Sequence, residues 1–299
     1  EHIVWDVPAT GDYAVRVVRK SGGGLPLEMA AASARVLTLR QWVGGSGGSW
    51  TSASNWAGGV PNAAGAVANF LDVAAGLTDV DLSSTVRVGT VNLEGAGYRV
   101  SGGTIRLDNA GSPAEVHVLG GASHRLGSSL VLDSAVVFDI AAGAAIEAAG
   151  AISGIGGIEV GGGGTLRLSG GNTYQGPTII RSSTIEILAD SALGAADSTL
   201  VFDDGVLRIL DSTAIHRPIL LIGDATFEVA AGRVLQLFSP IYLDGGSRLT
   251  FSGGGRVDLN SGLVFGPPPS PLLDIQPVPE PASVMAIACA AVMCRRRRR

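Results

Sequence analysis

Short alternating strands recur along most of the chain, and this pattern limits the fold more than any other feature. Between Arg99 and Phe265 the sequence repeats runs such as GGTIRLDNAG, GGTLRLSGG, DGVLRILDS and GDATFEVAAG, each bounded by glycine or by Asp and Ser. Apolar residues at every second position are typical of strands with one buried face. Strand follows strand with almost no helical pattern, so the sequence predicts an all-β fold.

The spacing of the strands favours a right-handed parallel β-helix, or β-solenoid, over residues 99–265. Roughly six to fifteen residues separate successive strands, which is less regular than an immunoglobulin-type sandwich requires. Glycine turns let the chain corner tightly, and alternating Val, Ile and Leu point into one continuous core. Coils of about 22 residues predict about eight coils, each paired with its neighbours along the axis. An ordinary β-sandwich is the alternative.

The composition excludes several other classes of protein. The 44 glycines follow no Gly-X-Y period, and a mean hydropathy of +0.35 is too high for a disordered chain. Without the five terminal arginines the basic residues fall from 21 to 16 against 26 acidic ones, so the body lacks the basic surface that nucleic acid requires. The two cysteines, Cys289 and Cys294, lie near the C-terminus, so the body has no disulfide framework and no cysteine nucleophile.

Candidate catalytic groups are few. A polysaccharide lyase or hydrolase built on a β-helix needs carboxylates and a basic side chain on one face. The strongest candidate cluster consists of Asp203, Asp204, Arg208, His216 and Arg217. The Gly-His-Gly and Arg-Ile-Lys motifs of polygalacturonase-like sites are missing, and Asp-Asp-Gly is typical of a turn. The histidines show no zinc-ligand spacing. We therefore expect no catalytic residue, no cofactor and no metal site, with a lyase-like enzyme as the alternative.

The first 41 residues differ from the repeated body. Residues 1–20 predict two strands around a turn and resemble the last hairpin of the small β-sandwich modules that follow secreted subtilisin-like proteases. The resemblance implies a terminal piece of such a module, and the C-terminal fragment of a secreted protease is therefore an alternative identity. Residues 21–41, with SGGGLP and an alanine-rich stretch, predict a linker. The sequence opens without a methionine or a secretory leader, so we expect a missing N-terminal region.

Residues 165–209, TLRLSGGNTYQGPTIIRSSTIEILADSALGAADSTLVFDDGVLRI, resemble an autotransporter-associated β-strand repeat. The positions that match best include Asn172, Tyr174 and Gly176. Asn172 and Gly176 suit a turn, and Tyr174 can pack over a neighbouring coil. The resemblance implies a β-helical stalk on an exported surface protein and no enzymatic activity.

Residues 42–98 predict a tryptophan-rich cap and the first coils. The stretch WVGGSGGSWTSASNWAGGVPNAAGAVANF resembles a cap found before such repeats in bacterial surface proteins, through positions that include Trp42, Trp50, Trp56, Pro61 and Phe70, although Ala66 replaces the usual acidic residue. Buried indoles would cover the open end of the first coil. Exposed indoles would instead stack on sugar rings, so a polysaccharide-binding module using Trp42, Trp50 and Trp56 is the alternative.

The C-terminal stretch 278–299 resembles the PEP-CTERM protein-sorting signal, after a proline-rich linker at 266–277. Its three parts are the motif Pro279, Glu280 and Pro281, the apolar run Ala282–Cys294, and the arginines Arg295, Arg296, Arg297, Arg298 and Arg299. The resemblance implies recognition and cleavage by an exosortase, a membrane processing enzyme of Gram-negative bacteria that make exopolysaccharide. Arginines held on the cytoplasmic side would orient a transmembrane sorting tail.

Together these patterns predict an exported, non-catalytic, structural or adhesive protein at the cell surface or in the extracellular matrix of a Gram-negative bacterium. The tail would anchor it transiently in the inner membrane. We expect an exosortase-type enzyme, the membrane before processing, and exopolysaccharide or another matrix component as partners. Nucleic acid is not an expected partner.

Overall fold

The computed structural model describes residues 40–71, 77–95, 97–120 and 123–266. They form an all-β, right-handed-like solenoid of about nine turns, close to the predicted eight coils. The alternative of an ordinary sandwich is wrong, because successive coils pair in parallel rather than as antiparallel hairpins. The predicted hairpin at 1–20, most of the predicted linker at 21–41 and the stretch 267–299 lie outside the described residues.

The strands are short and glycine-bounded, as their sequences predict. In chain order they are β1 (Gln41–Trp42), β2 (Gly48–Ser49), β3 (Trp56–Ala57), β4 (Val67–Phe70), β5 (Thr78–Asp81), β6 (Thr85–Val88), β7 (Thr90–Leu93), β8 (Tyr98–Ser101), β9 (Thr104–Leu107), β10 (Ala114–Val118), β11 (Ser123–Leu126), β12 (Ser129–Leu132), β13 (Val136–Ile140), β14 (Ala145–Ala148), β15 (Ile152–Gly154), β16 (Ile158–Gly161), β17 (Thr165–Leu168), β18 (Thr178–Arg181), β19 (Thr184–Ile187), β20 (Leu200–Asp203), β21 (Gly205–Ile209), β22 (Thr213–Ile215), β23 (Ile219–Leu221), β24 (Ala225–Val229), β25 (Val234–Leu237), β26 (Ile241–Leu243), β27 (Leu249–Gly253), β28 (Arg256–Leu259) and β29 (Leu263–Phe265).

Two short 3-10 helices, Ala53–Asn55 and Asp190–Leu193, interrupt the strands. Neither they nor any other helix among the described residues is long and apolar enough to cross a membrane.

The coils stack into two long sheets and a third that is broken in the middle. The first has twelve strands in the order β29-β26-β23-β20-β18-β16-β13-β10-β7-β4-β1-β3, and the second has ten in the order β2-β5-β8-β11-β14-β17-β19-β21-β24-β27. The third face consists of the sheet β15-β12-β9-β6 and the sheet β22-β25-β28. Between those two sheets, two consecutive coils carry no strand on this face.

In-register stacking places like residues above one another in the core. Val116 pairs with Phe138, which pairs with Val160, and all three side chains are fully buried. The same column continues through Ile180, Phe202, Leu221 and Leu243. Because side chains alternate across a strand, each residue between these positions faces outward. The buried alternate residues of every coil thus merge into one apolar core.

Gly154 shows why glycine is needed where a strand ends. Its φ of +115° is a conformation that side-chain-bearing residues rarely adopt. A Cβ at this position would lie 2.3 Å from the carbonyl oxygen of Leu132 in the preceding coil. Glycine therefore lets the chain turn while its backbone stays close to the coil before it.

We expect Phe138→Ala to lower the free energy of unfolding by about 3 to 5 kcal/mol, because the cavity opens inside a fully buried column. The neighbouring Val137→Ala is the matched control, since Val137 is partly exposed on the outer face of the same strand, and it should cost less than about 1 kcal/mol. Urea unfolding of both variants measures the difference. Equal losses would contradict the assignment of inner and outer faces.

Candidate functional site

The predicted tryptophan cap forms an aromatic cluster at the start of the solenoid. The ring centroids of Trp42 and Trp56 lie 5.3 Å apart with edge-to-face geometry, and those of Trp50 and Trp56 lie 5.2 Å apart. Phe70 lies 5.2 Å from Trp50 and Trp56 and packs also on Tyr98 in the next coil. The cluster therefore joins the cap to the first coils.

The three indoles leave no ring face for a sugar to stack on. The exposed fractions of Trp42, Trp50 and Trp56 are 1%, 0% and 4%. The indole nitrogen of Trp50 donates to the Pro61 carbonyl (3.2 Å), and that of Trp56 donates to the Trp50 carbonyl (2.6 Å). The indole nitrogen of Trp42 is buried without a hydrogen-bond partner among the described residues. Near-complete burial of all three rings is what covering an open core end requires.

The residues of the repeat resemblance lie where the third face loses its strands. Asn172 is 5% exposed; its Oδ1 accepts the N–H of Ile152 (2.9 Å), and its Nδ2 donates to the carbonyl of Ala192 (2.6 Å). One side chain thus bonds to the coil before it and to the coil after it. Gly176 keeps the backbone close, because a Cβ there would lie 2.4 Å from the Gly157 nitrogen.

Tyr174 fills the interior of the same segment. Its ring is fully buried, its hydroxyl is 2.6 Å from the Thr178 Oγ1, and a Cβ on Gly194 would lie 2.7 Å from the ring. Burial raises the pKa of the Tyr174 phenol, since the anion would be desolvated. Gly194, with φ +84°, passes over the ring as only glycine can.

Arg217 completes this segment from the following coil, and its side chain is fully buried. Its Nε donates to Asp190 Oδ1 (2.8 Å), and its Nη1 donates to the Leu193 carbonyl (2.7 Å) and to Ser198 Oγ (2.6 Å). Its Nη2 donates to the carbonyls of Asp190 and Gly194. We name Asn172, Tyr174, Asp190, Ser198 and Arg217 the polar plug, because these side chains hold together the two coils that lack a third strand.

The other members of the candidate catalytic cluster have separate structural partners. Asp203 pairs with Arg181 (2.5 Å), while Asp204 adopts the left-handed conformation (φ +59°) and accepts the N–H of Asp224 (2.9 Å). Arg208 pairs with Glu186 and Glu228 (2.6 and 2.9 Å). His216 stacks on Phe238, with ring centroids 4.8 Å apart. With Arg217 buried in the polar plug, the five side chains do not surround one reaction centre.

A column of charged side chains runs along the outer face of the ten-stranded sheet. The parallel register aligns, in order, Asp79, Arg99, Arg125, Glu147, Arg167, Glu186, Arg208 and Glu228. Opposite charges on adjacent strands attract, and most neighbours in the column alternate in sign. The alternation fails once, where Arg99 lies beside Arg125. Single-sequence reasoning missed this column, because its members become neighbours only when the register of the coils is known.

His124 is a second residue that the sequence pattern did not single out. It points inward from β11, is 3% exposed and stacks on Tyr98 (centroids 6.1 Å apart). Its Nδ1 accepts the N–H of Tyr98 (3.1 Å), so the neutral ring carries its proton on Nε2. That Nε2 is buried without a hydrogen-bond partner among the described residues. Burial lowers the pKa of His124 to about 4.

Within the part of the chain that the structure describes, no three His, Cys, Asp or Glu side chains form a group able to hold a metal ion. The sorting residues Pro279, Glu280 and Pro281 and the arginines at 295–299 lie outside the described residues.

Comparison with known proteins finds one segmental relative. Over 78 residues the chain is 42% identical to the adhesin BmaC autotransporter of Brucella suis biovar 1 (strain 1330). The match covers 26% of this chain and 2% of the adhesin, so the chain spans a small part of that protein's length. No family model matches the chain, and no solved structure matches it.

We expect Arg217→Met to destabilise the protein by about 3 to 5 kcal/mol, because it leaves Asp190 and several inward carbonyls without their donor. The control, Arg233→Met, removes an arginine whose side chain is 49% exposed and should change stability by less than about 0.5 kcal/mol. Urea unfolding and limited proteolysis at residues 188–199 report the effect. An Arg217→Met protein as stable as the wild type would show that the polar plug holds nothing together.

Stability should fall as the pH drops from about 6.5 to 4, in part because of His124. The unfolded state takes up a proton below the ordinary pKa of 6.5, while buried His124 stays neutral down to about 4. This loss amounts to about 3 kcal/mol and should be missing from His124→Leu. Ile146→Val, at the register partner of His124, should keep the wild-type slope. Urea unfolding at each pH gives the free energy of unfolding of each protein. If that free energy falls with pH equally in His124→Leu and in the wild type, His124 is not the cause of the loss.

Proposed function

We propose that this chain belongs to an exported, non-catalytic surface protein whose β-solenoid has a structural or adhesive role. The observation that carries the proposal is the combination of a continuous solenoid with segmental similarity to an autotransporter adhesin. Neither alone is sufficient, since β-helices also serve as enzyme scaffolds. Together they favour a surface protein of a Gram-negative bacterium.

The positions of the polar side chains support a non-catalytic role. A catalytic site needs an acid, a base or a nucleophile facing a common space. Asp203, Arg208 and Arg217 instead bond to three different sets of partners, and Arg217 has no exposed surface. The candidate groups thus hold successive coils together.

The geometry suits a spacer. Each coil adds about 4.8 Å along the axis, so about nine turns extend to roughly 40 Å. The aromatic cluster closes the first end around Trp50 and Phe70. Such a body presents two long sheets and a third, interrupted face to its surroundings, which is an arrangement that suits adhesion or packing in a matrix.

Sorting through the C-terminal stretch is the second part of the proposal. The motif Pro279-Glu280-Pro281, the apolar run 282–294 and the arginines 295–299 support recognition by an exosortase-type membrane enzyme. In this proposal the tail is held briefly in the inner membrane and removed. The body would then reach the surface or the matrix, where exopolysaccharide is an expected partner.

Mass spectrometry of the C-terminal peptide, combined with cell fractionation, tests the sorting. We expect the wild-type protein from its native cells to lack residues after the 279–281 region and to occur in the outer or extracellular fraction. Replacing Pro279, Glu280 and Pro281 by alanine should leave the arginines attached and hold the protein in the inner membrane.

The matched control replaces Pro267, Pro268 and Pro269 by alanine, which alters an equally proline-rich stretch just before the motif. It should be processed as the wild type is. Wild-type protein that keeps its arginines in the inner membrane would overturn the sorting proposal.

A further inference from the structure

Around the break in the charged column, two arginines make no hydrogen bond or ion pair with the residues that the structure describes, although the body of the protein is acidic overall. Arg99 lies in register between Asp79 and Arg125, yet it makes no ion pair or hydrogen bond with the described residues. Asp79 accepts from Ser46 instead (3.4 Å). Like charges on adjacent strands repel each other, and the four positions from Arg99 to Arg167 carry three arginines and one glutamate.

Arg167 lies two strands beyond Arg125 and likewise makes no hydrogen bond or ion pair with the described residues. Its register partners are Glu147 and Glu186, but Glu147 is bonded by Arg125 and Ser169, and Glu186 is bonded by Arg208. The Nε of Arg167 is buried and has no hydrogen-bond partner among the described residues. A buried donor without a partner is costly, and a ligand oxygen would remove that cost.

A cleft of about 430 Å³ lies along this part of the sheet. Its sides carry Arg99, Arg125 and Arg167, and beside them a second outward column supplies short side chains, namely Ser123, Ala145 and Thr165. His124 also lines the cleft, and its Nε2–H has no hydrogen-bond partner in the described part of the chain. Glu147 and Glu186 line the cleft as well, but they are already bonded by Arg125 and Arg208, so the groups left to meet a ligand are arginines and small hydroxyl-bearing residues.

We propose that this cleft binds an acidic polysaccharide, whose carboxylates pair with Arg99 and Arg167. Arginine presents a planar fork of donors that matches a carboxylate, and Ser123 and Thr165 offer partners to sugar hydroxyls. Arg99 and Arg167 lie three strands apart in the row, which is about 14 Å along the solenoid axis, so an extended chain with repeated anionic groups reaches both arginines, whereas a single small anion does not.

This inference deepens the proposed adhesive function. It rests on that function in one respect, namely that the protein is exported and so meets such polymers outside the cell. The binding itself depends only on the described cleft. Purified protein can therefore test the cleft whatever happens to the C-terminal tail, and failed sorting would leave the result intact.

Titration calorimetry with the full chain and polygalacturonate, a linear polymer of carboxylated sugars, is the direct test. We expect binding that weakens as salt is added, and no binding of neutral dextran. The double substitution Arg99→Gln and Arg167→Gln should weaken binding by about tenfold or more, because two charge-assisted contacts are lost. Its melting temperature should stay within about 2 °C of the wild-type value, since neither arginine makes a hydrogen bond or an ion pair with the described residues.

The matched control is Arg233→Gln with Arg248→Gln, which removes the same charge from arginines paired elsewhere with Asp211 and Asp224. It should bind polygalacturonate within about twofold of the wild type. If both double variants bind polygalacturonate equally weakly, the loss of affinity comes from net charge alone, and the assignment of the binding site to this cleft is wrong. Poly-L-glutamate binding as tightly as polygalacturonate would overturn the assignment to a polysaccharide, and no binding of polygalacturonate would overturn the proposal altogether.

Discussion

Each coil bonds its backbone to the coil before it and to the coil after it, and every other feature of the molecule depends on that pairing. The parallel register sets Val116, Phe138 and Val160 above one another and so fixes which residues form the core. It equally fixes the outer columns, since side chains alternate across each strand. The charged row on the ten-stranded sheet is therefore a consequence of register as much as of composition.

The polar plug shows how the stack continues where strands are missing. On one side, the backbone N–H groups of Thr173 and Gln175 still donate to the carbonyls of Ile152 and Gly154. Toward the following coil, side chains replace the backbone pairing: Arg217 donates hydrogen bonds to carbonyls of the 3-10 helix Asp190–Leu193. Buried polar groups are tolerated there because each finds a partner. The autotransporter-like repeat thus coincides with a local exchange of backbone pairing for side-chain pairing.

Much of the fold can be predicted from the sequence, because alternation with a period of two is a local signal. The runs TIRL, TLRL, GVLRI and ATFEV form β9, β17, β21 and β24. The charged column, the partner of Arg217 and the buried position of His124 need the register between coils. Arg217 bonds Asp190, 27 residues away, and no local pattern marks that contact. Asp203 and Asp204 form a candidate cluster in the sequence because they are adjacent. Adjacency in the sequence does not determine which partners their carboxylates bond to in the fold.

Hydrogen exchange followed by mass spectrometry on the wild-type protein tests the continuity of the stack most directly. Residues 169–177 and 188–199 have no strand, yet their backbone is bonded to the neighbouring coils or held by the polar plug. Their slowest amides, including those of Asn172 and Thr173, should exchange as slowly as those of the flanking strands β17 and β20. Exchange of both segments within seconds, with slow exchange on either side, would contradict a solenoid that runs unbroken through its middle.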